Sequence, residues 1–167
     1  MSISSISETT QFLTFTLADE VFAVEINRVK EVLEYTTVTR VPHTPAFVCG
    51  VINLRGSVVP VMDMRKKFAL PSTERTVNTC IIIIEVTIGE KTTVLGAMAD
   101  SVKEVMSLEP DQIDAAPRIG AKLRTEFIRG MGKHGEHFII ILDTDRVFAA
   151  EEMEGVFDGS GAQGMAA

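Results

Sequence analysis

The chain is poor in the residues that usually mark an enzyme site, a metal site or a membrane segment. Its 167 residues include no tryptophan, one tyrosine, two cysteines and three histidines, although 46% of them are hydrophobic. No apolar run approaches the roughly 18 residues that a membrane-spanning helix needs. The N-terminus, Met1–Phe12, lacks the basic start and apolar core of a secretory signal. These absences predict a soluble cytoplasmic protein without direct membrane insertion.

The charge of the chain argues against a further class of partner. Acidic residues number 23 and basic residues 16, so the formal net charge is −7. A protein that follows a phosphate backbone normally carries a clustered basic surface. We therefore expect no nucleic-acid partner.

No complete set of catalytic or metal-binding residues is visible in the sequence. It contains no Gly-x-Ser-x-Gly, no phosphate-cradling glycine loop and no His-Glu-x-x-His. Cys49 and Cys80 lie in apolar segments without Cys-x-x-Cys spacing, which is typical of reduced, packed thiols. His134 and His137 flank a glycine-bracketed turn, but zinc would need further ligands. We expect no catalysis, no cofactor and no bound metal.

One pattern occurs twice along the chain. Phe22–Tyr35 matches Leu95–Leu108, 73 positions later, and both contain Val-Lys-Glu-Val. Phe47–Phe68 matches Phe127–Phe148, 80 positions later, with 4 of 22 positions identical. The evidence is therefore the shared order of turn, apolar strand, Asp and terminal Phe. Two such copies predict two similar β subdomains packed into one domain, with a natural binding groove at their seam.

Short β-prone segments separated by turn residues make up most of the chain. Gln11–Leu17 and the apolar run Ile81–Ile84 are typical of strands, the second buried on both faces. Asn27–Glu34 fits either a helix or a strand. Ile119–Phe127 has the most helical pattern. The frequent turns favour small β-barrels with a few short helices over a parallel sheet.

Composition also suggests the domain boundaries. We expect a single domain over residues 11–150, with a polar connector between the two copies near 71–78. Residues 1–10, rich in Ser and Thr, and residues 151–167, rich in Gly, are expected to be flexible ends.

The most specific stretch of the chain is Thr39–Phe68. Its order resembles the signature of the CheW family of bacterial chemotaxis coupling proteins, and the resemblance extends from about Phe12 to Phe148. The matching elements are Pro42, Thr44-Pro45, Gly50-Val51, Asn53-Leu54-Arg55-Gly56 and the apolar strand Val58–Asp63. With no room for a kinase or receiver domain, the chain is similar to the free-standing coupler.

The resemblance implies a mainly β fold of two five-stranded Src-homology-3-like barrels with a hydrophobic interior between them. It also implies a non-catalytic adaptor in signalling arrays beneath the inner membrane. One partner would be the helical hairpin at the cytoplasmic tip of a methyl-accepting chemoreceptor. The other would be the regulatory domain of the histidine kinase CheA. The sequence leaves open which receptors bind and whether copies of the chain also join in rings.

The same resemblance implies the binding residues. Gly50 would let a receptor helix approach closely, and Arg55 would present a planar fork of donors to it. Arg118 and Ile119 would contact the kinase. The receptor-binding set comprises Val29, Glu31, Gly50, Asn53 and Arg55.

Some alternatives stay open at the level of sequence. Val29 fits plain core packing, and Glu31 and Arg55 fit solvated positions. A second hypothesis for the whole chain is a small-ligand- or metal-binding regulatory domain. Such a domain would use the cavity between the barrels or the turn of His134 and His137.

Overall fold

The computed structural model describes residues 8–71, 73–115 and 125–149. Within them, the first copy of the repeat forms β1 (Thr10–Leu17), β2 (Glu20–Glu25), β3 (Val29–Glu34), β4 (Val48–Leu54), β5 (Ser57–Asp63) and α1 (Met64–Lys67). The second copy forms β6 (Cys80–Ile88), β7 (Lys91–Ala99), β8 (Ser101–Leu108), β9 (Ile113–Asp114), β10 (Ile128–His134), β11 (His137–Leu142) and α2 (Thr144–Val147). The described residues also form short 3₁₀ helices at Ile26–Arg28, Pro110–Gln112 and Thr125–Phe127.

These strands form two barrel sheets that have the same layout. The first barrel has the order β8-β1-β2-β11-β10-β9, and the second has the order β3-β6-β7-β5-β4. Each position of the second barrel thus matches a strand of the first, with β3 corresponding to β8. The two-residue strand β9 is the addition. The predicted pair of Src-homology-3-like barrels is confirmed.

The barrels do not coincide with the two copies of the repeat. Strands β3, β4 and β5 of the first copy build the second barrel together with β6 and β7 of the second copy. Strands β1 and β2 join β8 to β11 in the other barrel. The expectation that each copy folds as its own subdomain is therefore wrong, because both copies contribute strands to both barrels.

Strand β6 shows how sequence pattern places a strand in this fold. Each of Ile81–Ile84 is 2% exposed or less. Ile81 and Ile83 point into the second barrel, whereas Ile82 and Ile84 join the layer between the barrels. An unbroken apolar run is what a strand buried on both faces requires, as the sequence predicts.

The layer between the barrels is a packed apolar core. It contains 19 buried side chains contributed by both barrels. The rings of Phe15 and Phe22 stack at 5.9 Å, and those of Phe22 and Phe68 at 5.8 Å. Phe127 extends the row at 6.2 Å from Phe68. Side chains thus fill the layer in which the alternative hypothesis places a small ligand.

An aspartate begins each short α-helix. Asp63 and Asp143 each accept a hydrogen bond at 3.2 Å from the backbone N–H three residues ahead. Their own N–H groups donate to the carbonyls of Phe47 and Phe127, at 2.6 and 2.8 Å. Each Asp of the repeat is therefore a helix N-cap at a strand end. Phe47 and Phe127, which also match in the repeat, hold the same strand end through their carbonyl groups.

Three local expectations are settled or bounded by the structure. The ambiguous segment Asn27–Glu34 is the end of a 3₁₀ helix followed by β3. Of the predicted helix Ile119–Phe127, only Thr125–Phe127 lies among the described residues, as a 3₁₀ helix. Residues 71 and 73–78 of the connector contain no helix or strand. Of the expected flexible N-terminus, residues 8–10 are described, and Thr10 already belongs to β1. Residues 1–7 and the expected flexible end 151–167 lie outside the described residues.

Candidate functional site

The tip of the β4–β5 hairpin carries Arg55. Leu54 pairs with Ser57, so Arg55 and Gly56 form a two-residue turn. Their φ angles of 51° and 90° are both positive, as a type I′ turn requires. The side-chain Oδ1 of Asn53 accepts the N–H of Gly56 at 2.7 Å, which holds the turn. Arg55 is 71% exposed at this tip, in a backbone conformation that most residues avoid.

The guanidinium of Arg55 is ion-paired with Glu31 of β3. Nη1 donates to Oε1 at 3.5 Å, and Nη2 contacts Oε2. The hydrogen bond from this guanidinium to Glu31 raises the pKa of Arg55. Strands β3 and β4 are the two outer strands of the five-stranded order, so the pair spans the closure of the second barrel. An exposed pair of this kind adds little stability, but it orients the arginine.

Gly50 lies beneath the segment that follows β3. Thr39 and Val51 exchange two backbone hydrogen bonds of 2.8 Å, which bring Thr39 over the strand. A Cβ at position 50 would lie 2.0 Å from the Thr39 carbonyl oxygen and 2.9 Å from Val38 Cγ1. The glycine therefore permits a close approach within the chain, and not the open space for a partner helix that the sequence analysis expects. Its part in receptor binding stays a prediction.

Exposed and partly buried side chains alternate along β3, and Lys30, Val32 and Glu34 are the exposed ones. Val29 pairs with Ile84 and Val32 with Ile82, and both isoleucines belong to the layer between the barrels. Val29 packs partly buried against that layer, while Val32 is 42% exposed at its margin. The Val29 side chain therefore takes part in core packing. The Val32 side chain, three residues further along β3, is exposed to solvent.

Both barrels also expose apolar residues that the sequence does not single out. Val58 is 66% exposed and pairs with Asn53 beside the turn. In the first barrel, Val105 and Phe138 are 48% and 51% exposed, and they occupy the positions that match Val32 and Val58 in the repeat. The sequence carries no signal for the exposure of Val58, because every position from Val58 to Met62 is apolar and the two faces of β5 cannot be told apart.

The predicted receptor-binding residues are thus only partly brought together. Glu31, Asn53 and Arg55 meet at the β4–β5 turn, and we call these three residues with Val58 the turn surface. Val29 and Gly50 face the interior of the protein instead. The predicted kinase-binding residues Arg118 and Ile119 lie outside the described residues.

The turn of His134 and His137 pairs the two histidines across β10 and β11, with both side chains exposed. In the described ranges, no group of three or more His, Cys, Asp or Glu side chains is placed to hold a metal ion. No helix in those ranges is long and apolar enough to cross a bilayer.

Two fused Src-homology-3-like barrels around a shared apolar layer define the class of this protein as a double β-barrel. The model of the CheW-like domain matches residues 11–152, and the chain belongs to this family. The chemotaxis protein CheW of Klebsiella aerogenes is 39% identical over 143 residues, covering 86% of this chain and 84% of that protein. CheW of Rhizobium meliloti is 33% identical over 144 residues, covering 86% and 90%.

A solved structure supports the same assignment. The crystal structure of the scaffolding protein TtCheW from Thermoanaerobacter tengcongensis superposes with a TM-score of 0.75 at 31% identity. The superposition covers 83% of this chain and 92% of that chain. The similarity therefore extends over both barrels and the layer between them.

Proposed function

We propose that the protein is a non-catalytic chemotaxis adaptor that couples methyl-accepting chemoreceptors to the histidine kinase CheA. It would act in the cytoplasm, in signalling arrays beneath the inner membrane. The observation that carries this proposal is the CheW-like match over residues 11–152. The name of TtCheW as a scaffolding protein supports the same role.

The receptor would bind at the turn surface and along β3. An amphipathic helix of the receptor tip can place apolar side chains against Val32 and Val58, which are exposed. Its polar groups would meet Arg55, whose guanidinium fork suits carboxylates and free carbonyls. Glu31 supports this role because it holds the fork in one orientation before the partner arrives. Val29 and Gly50 would shape the surface from beneath.

The kinase would bind elsewhere. By resemblance, Arg118 and Ile119 contact the regulatory domain of CheA, with Ile119 as the apolar anchor. Ile119→Asp should then weaken kinase binding and spare receptor binding, since a charge would be desolvated on association. Equal loss of both partners in a folded variant would contradict the assignment. Sedimentation of the purified chain over a range of concentrations would test whether copies also join one another.

The deciding experiment compares Arg55→Ala with a matched control. Arg146→Ala removes an arginine that is 61% exposed on α2, in the other copy of the repeat. Each variant is titrated against a receptor tip fragment and against the isolated CheA regulatory domain. Arg55→Ala should lose receptor affinity by about tenfold or more and keep its kinase affinity, whereas Arg146→Ala should keep both. Unchanged receptor affinity in folded Arg55→Ala would remove the turn surface from the proposal.

A further inference from the structure

A second concave surface lies at the opposite end of the β4–β5 hairpin. Residues 40–46, 48 and 49 line an open cavity of about 390 Å³, which we call the loop pocket. Val41, Pro45 and Val48 supply apolar lining, and Arg40 and His43 stand at its exposed rim. Strand residues rise about 3.3 Å each, so the six positions from Cys49 to Arg55 separate the loop pocket from the turn surface by ~20 Å.

The backbone of the loop is held in a fixed, open shape. The hydroxyl of Thr44 donates to the Val41 carbonyl at 2.9 Å, and the N–H of Val48 donates to the Pro45 carbonyl at 2.9 Å. His43 sits at φ 65°, a conformation that costs energy for a residue with a side chain. Pro42 and Pro45 have no N–H, so the loop is a poor partner for strand addition. A ligand would have to enter the pocket with its side chains.

Positive charge gathers at this pocket in a chain whose net charge is −7. Helix α1 brings Lys66 beside it, and both Lys66 and Arg40 are near enough to act electrostatically on the Cys49 thiol. Asp63 is the acidic group facing the same thiol, and one of its oxygens caps α1. Neither Arg40 nor Lys66 forms an ion pair with any described residue, and both are exposed.

The lining of the loop pocket is mixed. Two prolines and the aliphatic Val41 and Val48 lie beside the polar Thr44 and the basic Arg40. The pocket therefore offers polar and charged groups together with a smaller apolar area.

We infer that the loop pocket binds an acidic, extended peptide segment of a partner protein. Carboxylates of the peptide would pair with Arg40 and Lys66, and an apolar side chain between them would enter the space lined by Val41, Pro45 and Val48. Arginine pairs with a carboxylate through two parallel hydrogen bonds, which gives this end of the peptide its orientation. The binding is separate from the turn surface and does not depend on the proposed receptor contact.

The test uses the full chain labelled with ¹⁵N and two capped peptides, Glu-Glu-Leu-Glu-Glu and Gln-Gln-Leu-Gln-Gln. The acidic peptide should shift the amide signals of Arg40, Thr44, Cys49 and Lys66, and added salt should weaken the effect. Arg40→Gln and Lys66→Gln should each weaken binding about two- to fivefold. Lys103→Gln, an exposed charge removed from β8 of the other barrel, should leave the affinity unchanged.

Four results would overturn the inference. The first is the absence of shifts at millimolar peptide, and the second is a set of shifts centred elsewhere on the molecule. The third is equal binding of the glutamine peptide, which would show that carboxylates are not recognised. The fourth is the same pattern with sodium phosphate alone, which would show a general anion site.

Discussion

Arg28 and Asp145 form a two-point ion pair that ties the first copy of the repeat to the second. Nη2 lies 2.9 Å from Oδ2, and Nη1 lies 3.2 Å from Oδ1. The same Oδ1 accepts the backbone N–H of Thr87 at 2.9 Å. One aspartate of α2 thus fixes the start of β3 and the end of β6 together.

The other half of the molecule contains the same device with the charges exchanged. Arg65 of α1 donates to Asp100, with Nη2 2.6 Å from Oδ2, and that oxygen also accepts the N–H of Ala18 at 2.7 Å. The hydrogen bond to Asp100 raises the pKa of Arg65. Arg65 occupies the position that matches Asp145 in the repeat. The two halves therefore share the geometry of this ion pair, but the acidic and the basic partner have exchanged places.

Replacing Asp145 should separate the two roles of its carboxylate. Asp145→Ala loses the ion pair and the acceptor for Thr87, and should lower the unfolding free energy by about 1–2 kcal/mol. Asp145→Asn keeps an acceptor oxygen and should cost only about 0.5–1 kcal/mol. Urea denaturation measures both, with Glu90→Gln in the exposed β6–β7 turn as the control. Equal costs for the two variants would assign the whole effect to charge.

Gly50→Ala should destabilise the second barrel strongly. The new Cβ would meet the Thr39 carbonyl at 2.0 Å, so the two hydrogen bonds between Thr39 and Val51 would break. We expect a loss of about 3 kcal/mol or more. Gly89→Ala is the matched control, because position 89 also has a positive φ but has no atom within 4 Å of the new Cβ. That variant should cost only ~1 kcal/mol, and a similar cost for both would contradict the proposed clash.

Glu31→Gln should show whether receptor affinity depends on the orientation of Arg55 as well as on its positive charge. The variant keeps Arg55 but removes the carboxylate that holds its guanidinium. We expect receptor affinity to fall by less than in Arg55→Ala, with the kinase affinity and the melting temperature unchanged. Paired calorimetric titrations of both variants would measure this. A rise in receptor affinity would instead show that Glu31 competes with the receptor for the arginine.

The Cys49 thiol should react slowly and make stability depend on alkaline pH. Burial, with a further contribution from Asp63, raises the pKa of the Cys49 thiol from 9.0 to about 11. Its thiolate fraction at pH 8 is therefore about 100-fold below that of an unperturbed thiol, and alkylation should be slowed accordingly. Mass spectrometry of the native and urea-unfolded protein distinguishes Cys49 from Cys80.

The sign of the pH effect on folding follows from the same shift. A raised pKa means that the folded state keeps a proton that the unfolded state releases above pH 9. The contribution of Cys49, about 1–2 kcal/mol once its partial exposure is allowed for, is present below pH 9 and lost as the pH rises to 11. Cys49→Ser should flatten this part of the stability curve. An unchanged slope in that variant would refute the assignment.

Local patterns in the sequence were sufficient for much of the fold. The isoleucine run predicted a strand buried on both faces, because that burial is visible in neighbours close along the chain. The stretch Thr39–Phe68 was sufficient to indicate the family. Asn27–Glu34 stayed ambiguous, since its valines fit a helical face as well as a strand.

Only the tertiary structure decided which strands share a barrel and what surrounds the site residues. The grouping of β3 to β5 with β6 and β7, and of β1 and β2 with β8 to β11, depends on burial between segments far apart in sequence, for which alternation within one strand carries no signal. The same holds for Glu31 beside Arg55, 24 positions away, and for Thr39 above Gly50. Residue types alone predicted that Arg55 is exposed and that Gly50 lets a partner helix approach closely. The folded chain determined that its own segments already contact both, because closing the barrel brings its outer strands together.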